Sequence, residues 1–328
     1  MGIENSCVSK KIRDMALGLG TAALGRPQYI NIRQGNFKNL DLNSFKKQGL
    51  QVLEEAYNLG VRYFDTAPGY GLAEGLLLEW LQTKKDPSIQ VATKWGYTYV
   101  ANFDANAKVH EIKEHSLSKL NEQWDTSKAF ASHLKVYQIH SATIETGVLK
   151  NDSILNRLAM LKHEYGLEIG ITTTGTNQTE VIKKALDIEV EGHALFDTFQ
   201  VTYNILDQSL ETISNVLTKQ GKKIIIKEAL ANGRLFRNRN YNHYKELYTT
   251  LEKLAKKHKI GTDAIALKFC QQNMQKSIVL SGASNSEHLE SNLKMKTISL
   301  SQEELRELKN HSIPASNYWL ERKKLIWT

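Results

Sequence analysis

GVRYFDTAPGYGLAE, Gly60 to Glu74, is the stretch on which the fold turns. Val61, Tyr63 and Phe64 have the β-branched and aromatic character of a buried strand, and Asp65 falls where that strand ends. Pro68, Gly69 and Gly71 then break the regular structure, so Tyr70 belongs to a loop before Leu72, Ala73 and Glu74 open a helix. Taken alone, Asp65 reads equally well as a helix cap and Tyr70 as a surface aromatic. Two later stretches shift the balance. IQVATKWGY (Ile89–Tyr97) alternates β-branched residues up to Lys94, and LKVYQIHSA (Leu134–Ala142) ends the same way at His140. Three successive strands thus deliver Asp65, Lys94 and His140 to one rim, with Tyr70 above it.

Outward from this segment the chain alternates. Strands are expected at Met15–Leu24, Arg62–Thr66, Ile89–Lys94, Lys135–His140, Leu167–Thr172, Thr198–Thr202, Lys223–Lys227 and Ser277–Leu280. Helical spacing separates them at Ser44–Leu59, Leu72–Gln82, Lys108–Gln123, Asp152–Tyr165, Gln178–Leu186 and Ser209–Lys219, then at Asn242–His258 and Asp263–Gln272, with a further helix from Ser286. Eight such units predict an α/β fold, a closed (β/α)8 TIM barrel whose C-terminal face carries function. The chain of 328 residues suits one such domain, with residues 1–12 as a flexible tail. Residues 301–328 add a helix, opened by the capping box of Ser301 and Glu304, and a tail over the barrel. In that tail Tyr318, Trp319 and Trp327 either pack on the wall or form one side of a substrate pocket. The polar Gly25–Leu42 loop is a candidate lid or cofactor-edge loop.

Composition excludes several classes. The hydrophobic fraction of 41% supplies a core, yet no apolar run approaches the roughly eighteen residues of a membrane span. Cys7 and Cys270 are the only cysteines, which argues against a disulfide framework or zinc site and fits a cytoplasmic protein. The net charge of +8 comes from scattered lysines, a surface that attracts an anionic cofactor better than it binds nucleic acid. Met1–Cys7 formally fits a lipidation pattern, with Gly2 and Cys7 as acceptors, although a plain tail is the simpler reading. His110 and His115, read as helical, point to different faces and do not suggest metal ligation.

DTAPGYG, TKWG and YQIH, preceded by GLGTAALG (Gly18–Gly25) and followed by FQVTYN and SGASNSEHLESNL, together resemble the aldo-keto reductase superfamily over nearly the whole chain. The resemblance implies a catalytic tetrad of Asp65, Tyr70, Lys94 and His140. Tyr70 would be the general acid/base, Lys94 would ease its proton release, Asp65 would hold Lys94, and His140 would polarise the substrate carbonyl. It also implies a nicotinamide cofactor, NADP(H) favoured and NAD(H) possible. Gly20 and Thr21 would contact it, Thr172, Gln200 and Lys227 would stand at its nicotinamide end, and Leu230, Asn232, Gly233 and Arg234 around the pyrophosphate. Gly282, Ala283, Ser284, His288 and Asn292 would surround the adenosine. Gly282 and His288 occupy places where many relatives carry a lysine and an arginine for a 2′-phosphate, and Thr173 stands where an asparagine is common. Lys227-Glu228 stands where many have an aromatic, so either the nicotinamide ring rests on the Lys227 stem or these charges bind substrate or one another. Trp95, beside Lys94, is expected to face a small carbonyl or sugar-type substrate. Two other uses of the barrel are a cofactor-sensing binding module with little turnover and a Schiff-base lyase working through Lys94 or Lys227.

Overall fold

The computed structural model describes residues 17–27, 41–104 and 106–326. The Gly2/Cys7 segment, most of the candidate lid and Trp327 lie outside them. Eight parallel strands close into a barrel: β1 (Leu17–Gly20), β2 (Tyr63–Asp65), β3 (Gln90–Trp95), β4 (Leu134–Ala142), β5 (Glu168–Thr173), β6 (Thr198–Thr202), β7 (Lys223–Lys227) and β8 (Ile278–Ser281). Each pairs with its sequence neighbours, and β1 closes the ring against β8. The helices of the outer layer are α1 (Leu42–Asn58), α2 (Ala73–Leu81), α3 (Leu117–Ser127), α4 (Asp152–Tyr165), α5 (Gln178–Leu186), α6 (Glu211–Lys219), α7 (Lys245–His258), α8 (Thr262–Asn273) and α9 (Ser286–Leu293). They are followed by α10 (Gln302–Lys309) and α11 (Ala315–Lys323). Among the described residues no helix is long and apolar enough to cross a membrane.

The period of two along each strand sorts residues between two cores. Tyr63, Ala92, Val136 and Ile225, with Ile278 and Leu280, fill the barrel centre, while Phe64, Val91, Trp95, Tyr137 and Ile139 face the helices. The close packing of the centre explains Gly170, where a Cβ would lie 2.1 Å from Thr198 Oγ1. Continuing the inward register one step beyond this apolar plug reaches Asp65, Lys94, Gln200 and Lys227. The sequence therefore builds an apolar floor and a polar top layer at the strand ends.

Two expected elements differ. The first strand stops at Gly20, and Ala22–Gly25 forms a short helical turn in place of its second half. Thr21 is held at the turn by donating its backbone N–H and hydroxyl to the Asp65 carbonyl. The helix expected at Lys108–Gln123 begins only at Leu117, where Ser116 caps it by accepting the Lys119 N–H. Glu111–Lys113 instead pairs antiparallel with Tyr97–Tyr99, so His110 and His115 flank a hairpin arm rather than sit on a helix. The KVHEIKEH run lacks an apolar face for a helix to bury, and its Val109 and Ile112 stay more than half exposed. At the C-terminus the capping box forms, with Ser301 and Glu304 each accepting the other's backbone N–H. Tyr318 and Trp319 on α11 are buried against the barrel, so the packing reading of these two holds.

Candidate active site

The loop after β2 is fixed by close packing. Pro68–Tyr70 forms a single helical turn, Gly71 takes a φ of +62°, and the Leu72 N–H donates to the Gly25 carbonyl at 2.9 Å. The first βα turn comes so near that a Cβ on Gly25 would lie 2.0 Å from the Tyr70 carbonyl oxygen and 2.5 Å from Ala73 Cβ. Gly25→Ala is expected to lower stability by roughly 3 kcal/mol, the upper range of overpacking, because rigid backbone is in the way. Gly75→Ala, in open space on α2, should instead gain about 0.5–1 kcal/mol. Urea unfolding of both variants checks the contrast, and equal stabilities would contradict the packing described.

Asp65 is the hub of the polar layer. Its Oδ2 accepts from Lys94 Nζ at 2.6 Å, its Oδ1 accepts from Gln200 Nε2 at 2.6 Å, and Lys94 also donates to the Thr66 carbonyl. Lys94 is fully buried, with its ammonium 4.8 Å from the centre of the Tyr70 ring. Burial pulls the Lys94 pKa down and the Asp65 charge opposes the fall without cancelling it. Across Tyr70 lies His140, ring centres 5.5 Å apart and planes nearly perpendicular at 85°. Burial, followed by the charges of Lys94, Lys227 and Arg26, keeps the His140 imidazole well below its usual pKa. It is therefore neutral near pH 7 and donates one N–H.

The hairpin arm closes one side. Tyr97 lies 4.6 Å from the His140 ring, and His115 contacts the His140 carbonyl through Nε2 at 2.9 Å. Arg26, which the sequence did not single out, pairs with Glu111 of the arm at 2.8 Å. Its guanidinium carbon sits 5.1 Å from the Tyr70 ring centre and 5.9 Å from that of Tyr99. A second cation thus faces the tyrosine. The cleft above these groups has a volume of about 890 Å³ and runs from Tyr70, Tyr97 and His140 past Lys227 to the start of α9.

The family profile described as Aldo/keto reductase family matches residues 16–313. The chain belongs to the aldo/keto reductase family. Among curated relatives, a probable aldo-keto reductase 1 of Glycine max is 22% identical over 293 residues, covering 80% of this chain and 79% of the relative. A D-threo-aldose 1-dehydrogenase of Pseudomonas sp is 40% identical, but over only 83 residues, 25% of this chain and 23% of the relative. Among solved structures, the holo form of aldo-keto reductase AKR11C1 from Bacillus halodurans superposes with a TM-score of 0.66 at 22% identity, covering 91% of this chain and 92% of that one. The glycerol dehydrogenase AKR11B4 from Gluconobacter oxydans gives the same TM-score at 20% identity, over 90% of each chain.

Within this aldo/keto reductase, most of the expected site residues share the cleft. Gly20, Asp65, Tyr70, His140, Thr172, Gln200 and Lys227 line its deep end together with Leu230, Asn232 and Gly233, and Gly282, Ala283, Ser284, His288 and Asn292 line it as well. Four residues do not. Trp95 is fully buried among the helix-facing core, its ring 5.4 Å from His115. Adjacent strand residues point to opposite faces, so an inward Lys94 sends Trp95 outward, and Tyr97 and Arg26 take the wall expected of it. Thr21 is spent on the Asp65 carbonyl, and Arg234 is buried under α11, bonded to the Ala231 and Tyr318 carbonyls. Lys94 lies behind Tyr70 and does not reach the cleft surface.

At the end of β7 the charged dipeptide splits. Glu228 adopts a φ of +54° and binds Arg322 of α11 at 3.0 Å and the Tyr318 hydroxyl at 3.0 Å. Burial pushes the Glu228 carboxyl up, but Arg322 and Lys227 more than offset it and the net shift is downward. The C-terminal tail thereby contributes Arg322 to the cleft wall, while its tyrosine serves as a buried strut.

Proposed function

We propose that this protein is an NAD(P)-dependent oxidoreductase acting between an aldehyde or ketone and the corresponding, sugar-type or simple, hydroxyl, with Tyr70 as general acid/base. The observation that carries the reading is the arrangement around Tyr70. A lysine already engaged by a buried aspartate stands on one side of the ring and a neutral histidine on the other, beside an open cleft. Bound nicotinamide would supply the hydride. The chain supplies the rest: His140 donates its N–H to the carbonyl oxygen, and Tyr70 Oη passes a proton to that oxygen as negative charge develops on it. Lys94 favours the phenolate left behind, and Asp65, braced by Gln200, keeps the ammonium in place.

The cleft residues fit a dinucleotide. The Cβ side of Gly282 has no atom within 4 Å, so backbone there is open to close approach, and the N-terminus of α9 follows at once. Thr172 and Gln200 would hold the carboxamide, and Leu230, Asn232 and Gly233 the pyrophosphate. Asn292 is pre-set for the adenosine end, with its amide donating to Asp263 at 2.6 Å and its carbonyl accepting from Ser281. Arg237 and His288 line the cleft and give that end a basic edge without the usual pair of long cations.

NADPH is expected to bind more tightly than NADH, and the tighter nucleotide to support reduction of at least one class in a panel of aldehydes, ketones and aldoses. Quenching of tryptophan fluorescence measures the two affinities. Tighter NADH would reverse the cofactor preference, while tight binding without turnover across the panel would favour a cofactor-sensing role.

A further inference from the structure

Lys227 ends β7 in the inward register, beside Thr202 on the neighbouring strand, and lines the cleft at the end where Asp65, Tyr70 and His140 also emerge. The other charged groups there are matched. Lys94 is paired with Asp65, Arg26 with Glu111 and Arg322 with Glu228. Both oxygens of Asp65 are taken, by Lys94 and Gln200, and both of Glu228, by Arg322 and Tyr318. The Lys227 ammonium makes no hydrogen bond or ion pair with any described residue. Lys227 is half-buried and lines the cleft. A half-buried cation without a counterion is available to an anion that enters the cleft.

We propose that Lys227 is an anion-binding group of the catalytic cleft, and that the substrate carries a carboxylate or another anionic substituent close to its reacting carbon. This rests on the oxidoreductase reading above. The cofactor's own diphosphate is the rival source of negative charge. The position of Lys227 favours the substrate: it ends β7 in the inward layer that holds Asp65, Lys94 and Gln200, and it opens onto the cleft that Tyr70 and His140 also line. Burial depresses its pKa and Glu228 only partly opposes this, so an arriving carboxylate would strengthen the very charge it binds.

The test compares matched carbonyls that differ in one carboxylate, 4-carboxybenzaldehyde with benzaldehyde and succinic semialdehyde with butanal, each reduced with NADPH and with NADH. The wild type should favour the charged member by ~10- to 100-fold in kcat/KM, the span of a charge-assisted hydrogen bond. Lys227→Met should abolish that ratio, chiefly through KM of the charged member, and Lys227→Arg should retain most of it. Thermal unfolding of both variants should show no loss of stability, since an unmatched cation is removed or conserved. A ratio near one in the wild type, or one unchanged in Lys227→Met, overturns the proposal. So does a weakening of NADPH and NADP⁺ binding by Lys227→Met with the ratio intact, which would assign the lysine to the cofactor. Absence of turnover for every pair with either nucleotide overturns the oxidoreductase reading itself, and this inference falls with it.

Discussion

Tyr70→Phe is expected to lower turnover by at least ~100-fold, the scale of losing a general acid, while nucleotide affinity stays near that of the wild type. The substitution removes one oxygen and keeps the ring, so the contacts that place it are retained: the edge-on His140, the Arg26 guanidinium and the Lys94 ammonium. The backbone is pinned by Gly25 and Leu72 independently of the hydroxyl. A large loss in kcat with unchanged fluorescence titrations would therefore isolate the proton. A fall confined to KM would instead make the tyrosine a binding group, and unchanged turnover would remove it from the mechanism. His140, proposed to bind the carbonyl, is held neutral near pH 7 by its depressed pKa and has no imidazolium proton to give. The residual rate of Tyr70→Phe should thus reflect positioning and polarisation alone.

How far the sequence carries depends on the range of the interactions. Strand-end positions such as Asp65, Lys94 and His140 were legible because each lies within a few residues of its own punctuation, and the inward register then follows from a period of two. That same period should have turned Trp95 away from the cleft. The tetrad pattern drew attention to its neighbour and obscured the alternation. The hairpin arm was misread because charged residues satisfy a loose helical template as readily as a strand, and only the missing apolar face distinguishes them. Arg26 and Glu228 were illegible for a different reason. Their partners, Glu111 and Arg322, lie 85 and 94 residues away, and nothing local marks the pairing. Arg234 looks like a loop cation in sequence, yet its guanidinium lies 4.1 Å from the Tyr318 ring on a helix beyond the barrel units.

Lys94→Met is expected to cost about 3–5 kcal/mol of stability, because removing one member of a buried pair strands the other, and to reduce turnover sharply as well. The two losses have separate origins. The stability loss comes from Asp65, left buried with Gln200 as its remaining side-chain donor. The loss of rate comes from Tyr70, deprived of the nearer cation. Asp65→Asn made together with Lys94→Met removes both charges, so most of the stability should return, since a buried pair is often no better than neutral groups of similar shape. Turnover should not return. In the oxidation direction, where Tyr70 must accept the proton, the activity limb of either variant should move to higher pH, because the phenolate has lost its ammonium. Urea unfolding with pH–rate profiles of the two single variants and the double variant measures all of this. If Lys94→Met is as stable as the wild type, the 2.6 Å ion pair contributes nothing to the fold. If the double variant regains activity, the lysine acts only as a structural counterion and the proposed assistance to Tyr70 fails.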